Sequence, residues 1–304
     1  MNYEAFDRAV TILNCPCLFD EPMSSHTTFR IGGPADRLVT VGTVEQLSAV
    51  LRLAREQEIP VMLLGRGSNL LVSDKGIRGV VLQLGGDFQK ITLLEDGCAV
   101  RAGAAASLRA LCDFACEHGL SGLEFAFGIP GSAGGAVYMD AGAYGGEMRD
   151  VVRSVTHMTR AGELVTLQKD ELEFDYRKSR YTGGEDVIVS AEFALIPGDQ
   201  DAIREKMAEL LNRRREKQPY DLPSAGSVFK RPKNGFAAAM IEECGLKGRR
   251  VGGAQVSEKH SGFIVNLGGA ACKDVLALIE IVQEEVFKQT GTQLECEVRV
   301  TGEP

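Results

Sequence analysis

The chain has 304 residues, of which 44% are hydrophobic and 25% are charged, a composition that excludes disordered and fibrous proteins. It contains 34 Lys and Arg residues against 42 Asp and Glu residues, a formal net charge of −8, which excludes a strongly basic nucleic-acid-binding protein. No apolar run approaches the roughly 18 residues of a membrane span, and the N-terminus lacks the apolar core of a signal peptide. A cytosolic location is therefore expected.

The eight cysteines contain no CxxC pair, and no histidine completes a zinc spacing with them. We expect reduced thiols that serve as small core residues, and we expect no metal site. Cys112 and Cys116 lie four residues apart in a predicted helix. This spacing places both side chains on one buried face.

In chain order, the first region alternates helix and strand patterns. Thr43 and Gln46 form a capping box, which predicts the start of a helix. The apolar run Val61–Leu64 predicts a buried strand, and a further strand is predicted at 79–82. A glycine turn, residues 65–69, follows the first of these strands directly.

The rest of the chain changes from strand-rich to helix-rich. The patterns predict strands at 91–94 and 98–102, a helix capped by Ser107, a hairpin of 151–159 and 164–167, a strand at 187–196, a helix that includes Ile203 and Leu211, helices at 236–244 and 275–289, and a final strand at 293–300. We place a domain boundary near 197–200, where turn residues coincide with this change.

Glycine is over-represented, at 35 of 304 residues against an average near 7%. Part of the excess lies in the turn at 65–69, which follows a strand. Backbone N–H groups in such a turn can bind a pyrophosphate closely, because no Cβ intervenes. The turn is neither the dinucleotide fingerprint, since Leu70 takes the third glycine position, nor a P-loop. An ordinary turn explains it equally well.

A second concentration of glycine lies between Gly128 and Gly146. Residues 128–136 are almost all small, and so much glycine would weaken a core strand. The segment suits a backbone loop around a flat or phosphorylated ligand, with a packed loop that binds nothing as the alternative. Two such loops, each after a strand pattern, predict a large dinucleotide held from both sides.

Several motifs resemble those of UDP-N-acetylenolpyruvylglucosamine reductases, flavoenzymes of peptidoglycan precursor synthesis. The sequence TTFRIGGPAD at 27–36 looks like the opening motif of that family, and PSAGSVFK at 223–230 is especially specific. Segments 64–71, 128–146, 174–180 and 294–302 resemble the remaining motifs in the right order. The resemblance runs from about residue 20 to the C-terminus. The short stretch after Arg177 resembles the branch that lacks a tyrosine-bearing substrate loop.

This resemblance implies an α+β fold, with a two-lobed FAD-binding domain of the vanillyl-alcohol-oxidase type and a smaller α+β substrate-binding domain. The FAD-binding domain would cover 1–198, with lobes of about 20–85 and 86–198. The substrate-binding domain would cover 199–304 and include a C-terminal catalytic strand. FAD would be bound non-covalently. The expected cofactor-binding residues are Gly65, Arg66, Gly67, Ser68, Asn69, Gly128, Ile129, Pro130, Gly131, Ser132, Ala133, Gly134 and Gly135.

The implied reaction reduces the enolpyruvyl ether of UDP-N-acetylglucosamine to UDP-N-acetylmuramate, with NADPH as co-substrate. Hydride would pass from NADPH to FAD and then to C3 of the enolpyruvyl group, and C2 would be protonated. Negative charge then develops on the substrate carboxylate. The site therefore needs a cation or hydrogen-bond donor at that carboxylate and a proton source at C2.

Three residues match the catalytic motifs of the family. The resemblance implies that Arg177 binds the developing enolate, that Ser227 donates the proton to C2, and that Glu297 is an acidic partner at the same carboxylate. Taken singly, Arg177 could be a surface arginine, Ser227 an ordinary turn serine and Glu297 part of a solvated strand face. Their occurrence in three separate motifs in the right order favours the catalytic interpretation.

The substrate contacts are expected at Tyr176, Lys217 and Lys230. Lys217 resembles a position that contacts the UDP phosphates, although a solvated helix end explains it equally well. A core tyrosine is the alternative for Tyr176. Two positions depart from the family pattern, because Asp140 and Arg231 stand where asparagine is more usual.

Two other functions remain open at this point. One keeps the flavin fold but uses oxygen, as an alcohol or sugar oxidase. The other is a non-catalytic sensor of nucleotide sugars that uses the basic residues near Lys217. The speed of flavin reoxidation by oxygen would separate the first from a reductase, and the absence of flavin would favour the second.

Overall fold

The computed structural model describes residues 3–303 and forms two compact units whose segments alternate along the chain. The first unit comprises the described residues of Met1–Leu18, Arg37–Arg66 and Gly79–Arg213; the second comprises Phe19–Asp36, Gly67–Arg78 and the described residues of Arg214–Pro304. The predicted domains 1–198 and 199–304 divide the chain only once. Their assignment to FAD and to substrate stays a prediction.

The described residues combine helices with sheets, which confirms the α+β class. The helices are α1 (Glu4–Ile12), α2 (Val44–Glu56), α3 (Leu108–Glu117), α4 (Ala133–Tyr138), α5 (Met148–Val151), α6 (Gln200–Lys217), α7 (Ala237–Glu243) and α8 (Cys272–Thr290). The strands are β1 (Cys17–Pro22), β2 (Pro34–Val41), β3 (Val61–Leu64), β4 (Leu70–Val72), β5 (Ile77–Leu84), β6 (Ile91–Leu93), β7 (Ala99–Gly103), β8 (Leu120–Ser121), β9 (Gly142–Ala143), β10 (Gly146–Glu147), β11 (Val152–Met158), β12 (Leu164–Gln168), β13 (Val187–Ala194), β14 (Ile196–Pro197), β15 (Ser224–Ser227), β16 (Arg250–Val251), β17 (Ala254–Val256), β18 (Phe263–Asn266) and β19 (Arg299–Thr301).

The helix starts follow the predicted caps. Thr43 Oγ1 accepts a hydrogen bond from the N–H of Gln46 at 3.2 Å, at the start of α2. Ser107 Oγ accepts one from the N–H of Ala110 at 3.1 Å, at the start of α3. Each bond satisfies a backbone donor that the first turn of a helix leaves unpaired. Both helix starts are therefore confirmed.

The first unit contains a five-stranded antiparallel sheet of order β12-β11-β13-β7-β6. The predicted hairpin of 151–159 and 164–167 is confirmed as β11 and β12. Helix α4 packs against β13, and α3 packs against α4. The apolar core includes the fully buried Phe6, Leu47, Leu108 and Phe193. Cys112 and Cys116 are both buried in that core, as their spacing predicts.

The strand predicted to be buried at Val61–Leu64 is present as β3, but the prediction of burial is wrong. It lies at an edge of a four-stranded sheet of order β1-β2-β5-β3 and pairs in parallel with β5. Val61 is 37% exposed and Leu63 is 41% exposed. An apolar run does not distinguish a central strand from an edge strand, because both can face a core on one side.

The second unit is built on an antiparallel sheet of order β15-β18-β17-β16, with α8 packed against β16 and β17. Strand β19 pairs in parallel with β4. The core of the second unit includes the fully buried Phe29, Val228, Val275 and Leu278. None of the helices within residues 3–303 has both the length and the apolar character that a membrane span requires.

The predicted C-terminal strand at 293–300 is too long. Only Arg299–Thr301 forms a strand, and the preceding residues are irregular except for a bridge between Phe229 and Cys296. Leu294 and Val298 are buried, which produces the alternating pattern. The alternation predicts a buried face correctly, but it does not show whether a partner strand is paired along the whole length. Glu297 therefore lies before the strand rather than in it.

Candidate active site

The two glycine segments approach each other in the first unit. Gly65 follows β3, and a Cβ placed on it would lie 3.2 Å from Ser132 Oγ in the second segment. Ser132 Oγ also accepts a hydrogen bond from the N–H of Gly135 at 3.3 Å, which caps the start of α4. The structure therefore brings the start of the first predicted loop next to the middle of the second.

The second segment is not a loop throughout, because its later half forms the start of α4 (Ala133–Tyr138). Packing explains part of its glycine content: a Cβ on Gly134 would lie 2.7 Å from the Cβ of Ala104. Packing does not explain Gly131, whose Cβ would meet Leu108 Cδ1 only at the ordinary distance of 3.4 Å. Gly131 thus leaves open a stretch of backbone that a ligand could approach.

The later residues of the first segment belong to the second unit. Gly67 has φ +60°, and a Cβ there would lie 2.2 Å from the carbonyl oxygen of His26. Asn69 Nδ2 donates a hydrogen bond to the carbonyl of Glu297 at 3.2 Å, and the carbonyl of Asn69 accepts one from the N–H of Arg299 at 3.0 Å. Asn69 therefore fixes the backbone that carries Glu297.

Arg177 lies at the tip of a tight turn in the first unit. Asp175 and Lys178 exchange both backbone hydrogen bonds, at 3.0 and 2.9 Å, which leaves Tyr176 and Arg177 as the two tip residues. Arg177 has φ +57°, a left-handed conformation that costs a residue with a side chain roughly 1–2 kcal/mol. Such conformations in non-glycine residues cluster at functional sites. This turn therefore supports a functional role for Arg177.

The tip side chains of this turn are accessible. Tyr176 is 41% exposed, so it is not a core tyrosine. The Arg177 Cζ lies 4.9 Å from the centroid of the Tyr176 ring, a cation–π contact that orients the guanidinium along the ring. Arg177 itself is half-buried.

The base of the same turn is buried. Leu172, Ser179 and Tyr181 are almost fully buried. Tyr181 Oη lies 3.1 Å from His157 Nδ1, and His157 Nε2 lies 3.5 Å from Asp186 Oδ2. Burial lowers the pKa of His157 below its usual value and raises that of Tyr181, so both are neutral near pH 7. No motif or spacing in the sequence points to a role for these residues.

Ser227 and Glu297 lie on neighbouring backbone segments of the second unit. Ser227 ends β15 and pairs with Phe263 in β18. The next residue, Val228, accepts a backbone hydrogen bond from the N–H of Glu297 at 2.7 Å. Both predicted catalytic side chains are half-buried. The structure thus brings the backbone segments of Ser227 and Glu297 next to each other, although the two motifs lie about 70 residues apart in the chain. Joint action on one substrate requires such proximity.

The predicted substrate-binding lysines are exposed or half-buried cations. Lys230 Nζ lies 3.3 Å from Glu295 Oε2, with both side chains largely exposed. An exposed pair of this kind contributes little stability, so an anionic ligand can replace the carboxylate. Lys217 is the exposed last residue of α6, which fits a solvated helix end as well as a phosphate contact.

The two departures from the family pattern have contacts inside the protein. Asp140 is fully buried, and its carboxylate accepts hydrogen bonds from the side chain and the backbone N–H of Arg149 at 2.7 and 2.8 Å. The Arg231 Cζ lies 4.2 Å from the centroid of the Phe236 ring. Asp140 is therefore part of a buried ion pair with a structural role.

Two family models of known proteins match different parts of the chain. Residues 35–168 match the model of an FAD binding domain, and residues 218–301 match that of the C-terminal domain of UDP-N-acetylenolpyruvoylglucosamine reductase. The FAD match includes both glycine segments. Gly131 leaves its backbone open, which a diphosphate ligand requires.

Individual relatives extend over almost the whole chain. The UDP-N-acetylenolpyruvoylglucosamine reductase of Agathobacter rectalis is 51% identical over an alignment of 296 residues, and the match covers 94% of each chain. That of Geobacillus thermodenitrificans is 48% identical and covers 94% of this chain and 93% of its own. The crystal structure of the reductase from Thermus caldophilus superposes with a TM-score of 0.81 at 39% identity, over 94% of this chain and 98% of the other. The chain belongs to the UDP-N-acetylenolpyruvoylglucosamine reductase family.

Proposed function

We propose that the chain reduces the enolpyruvyl ether of UDP-N-acetylglucosamine to UDP-N-acetylmuramate, with non-covalent FAD as cofactor and NADPH as reductant. The reaction would take place in the cytoplasm, as a step of peptidoglycan precursor synthesis. The observation that carries this proposal is the pairing of the Ser227 and Glu297 segments, in a chain of this family. It places the backbone of Glu297 one residue from Ser227, which supports a joint role for the two residues at one substrate.

The residues of the glycine segments would hold the cofactor. Backbone N–H groups at 65–69 and 128–135 would bind its diphosphate. Gly131, whose Cβ position has only an ordinary contact at 3.4 Å, would allow a close approach. When bound, FAD supplies hydride transfer from NADPH to C3 of the enolpyruvyl group. All remaining steps fall to the side chains of the protein.

Three side chains would act on the substrate. Hydride addition at C3 leaves negative charge on C2 and on the adjoining carboxylate, and the planar guanidinium of Arg177 binds such a carboxylate with two hydrogen bonds. Ser227 donates its hydroxyl proton to C2, a transfer that the strong basicity of a carbanion favours. Glu297 assists as the protonated acid or through a bridging donor, because two bare carboxylates repel each other.

The remaining contacts would select the nucleotide. Lys217 and Lys230 would bind the diphosphate of UDP, with Lys230 exchanging its exposed partner Glu295 for phosphate. Tyr176, exposed at the tip of the Arg177 turn, would contact the sugar or the enolpyruvyl group. The aromatic face can pack on a sugar ring while the hydroxyl stays hydrated.

The test is anaerobic stopped-flow absorbance of the purified protein. We expect a yellow protein that releases FAD on denaturation and is bleached by NADPH. The bleached protein should regain its colour faster with the enolpyruvyl nucleotide than with oxygen. Faster recovery with oxygen would indicate an oxidase instead. A colourless protein that cannot be reconstituted with FAD but binds a UDP-sugar tightly would indicate a sensor.

A further inference from the structure

The turn that carries Arg177 is anchored by a hydroxyl to which the proposed reaction assigns no role. Ser179 is 1% exposed, and its Oγ donates a hydrogen bond to the carbonyl oxygen of Tyr138 at 2.8 Å. Tyr138 is the last residue of α4, the helix that begins within the second glycine segment. One buried bond therefore joins the Arg177 turn directly to the helix that follows the expected cofactor segment.

Neighbouring bonds hold Ser179 in this place. Its N–H donates to Thr182 Oγ1 at 3.1 Å, and the N–H of Gly183 donates to the Tyr138 hydroxyl at 3.2 Å. The N–H of Arg180 donates to the carbonyl of Leu172 at 2.9 Å, which closes the base of the turn. Only one residue separates Ser179 from Arg177. A displacement of Ser179 would therefore also displace Arg177 at the tip of the turn.

The hydrogen bond between Ser179 and Tyr138 helps to keep Arg177 in its left-handed conformation. The left-handed conformation of Arg177 is unfavourable, so it persists only where surrounding contacts hold it. Removal of the Ser179 hydroxyl would break the 2.8 Å bond to the carbonyl of Tyr138 and leave the longer bond from Thr182 Oγ1, at 3.5 Å. A catalytic group displaced by about 1 Å can lose about 10²-fold in rate.

We propose that Ser179 is a positioning residue, which holds the Arg177 guanidinium where it can bind the carboxylate of the enolpyruvyl group. This inference rests on the proposed function, since it assumes that Arg177 acts on that carboxylate. It predicts that the Ser179 hydroxyl affects one half-reaction only. The step concerned is the reoxidation of the flavin by substrate, because that step alone places charge on the carboxylate.

The test uses the flavin-loaded protein and its two half-reactions. Ser179→Ala should slow reoxidation by the enolpyruvyl nucleotide by about 10- to 10²-fold and change flavin reduction by NADPH by less than about 3-fold. Ser179→Cys has almost the same volume and a weaker donor, so it should slow the same step without leaving a cavity. If the alanine variant does not fold, the cysteine variant provides the test. Ser154→Ala, which removes another buried serine hydroxyl of the first unit, should slow neither step.

A double-mutant cycle separates positioning from general damage. Ser179→Ala should add less than about 3-fold to the effect of Arg177→Met, because a residue that acts through Arg177 has nothing left to position. An undiminished effect in that background, or normal reoxidation in Ser179→Cys, would overturn the positioning role alone. Normal reoxidation in Arg177→Met would instead overturn the assignment of Arg177 in the proposed function.

Discussion

Arg177 and Ser227, both proposed to be catalytic, lie at or next to left-handed backbone positions that are built in two different ways. At the first position the left-handed residue is Arg177 itself, with φ +57°; at the second it is Gly226, with φ +77°, directly before Ser227. Glycine adopts this conformation readily, whereas a residue with a Cβ does so at a cost of roughly 1–2 kcal/mol. The Arg177 turn therefore carries strain that the Ser227 segment does not.

The supports of the two residues differ as well. Arg177 lies at a two-residue tip whose position depends on a buried base. Ser227 ends a strand of a sheet, and its neighbour Val228 is hydrogen-bonded to the backbone of Glu297. Strands give a side chain a fixed direction through their backbone pairing, whereas a turn depends on side-chain contacts. This difference predicts which substitutions damage function and which damage stability.

Among the variants that test this comparison, Arg177→Asn should have the largest effect. Reoxidation of the flavin by the enolpyruvyl nucleotide should fall by about 10²–10³, the usual range for loss of one group that stabilises a transition state electrostatically. The free energy of unfolding should stay within about 1 kcal/mol of the parent, because asparagine tolerates the left-handed conformation and the cation–π contact with the exposed Tyr176 ring contributes little. Half-reaction kinetics and urea denaturation check the two parts. A loss of several kcal/mol in stability would show that Arg177 is primarily structural.

Gly226→Ala should have the next largest effect. An alanine at φ +77° should lower the free energy of unfolding by about 1–2 kcal/mol and displace Ser227, so that reoxidation slows by about 10-fold or more. Gly291→Ala is the matched control, because Gly291 has φ +71° and also has open space around its Cβ position. It should lose similar stability with unchanged reoxidation. Equal kinetics in both variants would contradict the role given to the Gly226–Ser227 geometry.

The smallest expected effect concerns the base of the Arg177 turn. Because burial keeps the pKa of His157 below its usual 6.5, the folded protein binds a proton there less readily than the unfolded chain. The contribution of the neutral His157 imidazole to the free energy of unfolding is complete above about pH 6.5, and it is lost as the pH falls below that value. Nearby Asp186 opposes this lowering, and Arg180 adds to it.

His157→Gln removes this titration. The free energy of unfolding should therefore fall less between pH 7.5 and pH 5.5 in the variant than in the parent, as urea denaturation at both pH values would measure. His260, whose pKa burial also lowers, is present in both proteins and cancels in the comparison. Identical pH dependence in the two proteins would show that His157 does not titrate as its burial predicts.

Local features of this fold could be predicted from the sequence. The caps at Thr43 and Ser107 involve side chains and N–H groups only three residues apart, so the spacing alone identifies them. The family resemblance supplied the fold class and the identities of Arg177, Ser227 and Glu297, which composition and spacing alone could not.

Features that depend on distant contacts could not be predicted in this way. Ser179 meets Tyr138 across 41 positions and His157 meets Tyr181 across 24, and neither pair has a local pattern. The edge position of β3 depends on the order of strands in its sheet, which an apolar run does not encode. The left-handed conformation of Arg177 could not be predicted from the sequence either, because arginine rarely adopts it.

In the proposed reaction, Ser227 gives a proton to the substrate and takes no part in flavin reduction. The direct measurement is single-turnover absorbance of Ser227→Ala in both half-reactions under anaerobic conditions. Reduction by NADPH should stay within about 3-fold of the parent, while reoxidation by the enolpyruvyl nucleotide should slow by about 10²–10⁴. Reoxidation at the parent rate, or an equal loss in both half-reactions, would contradict the account.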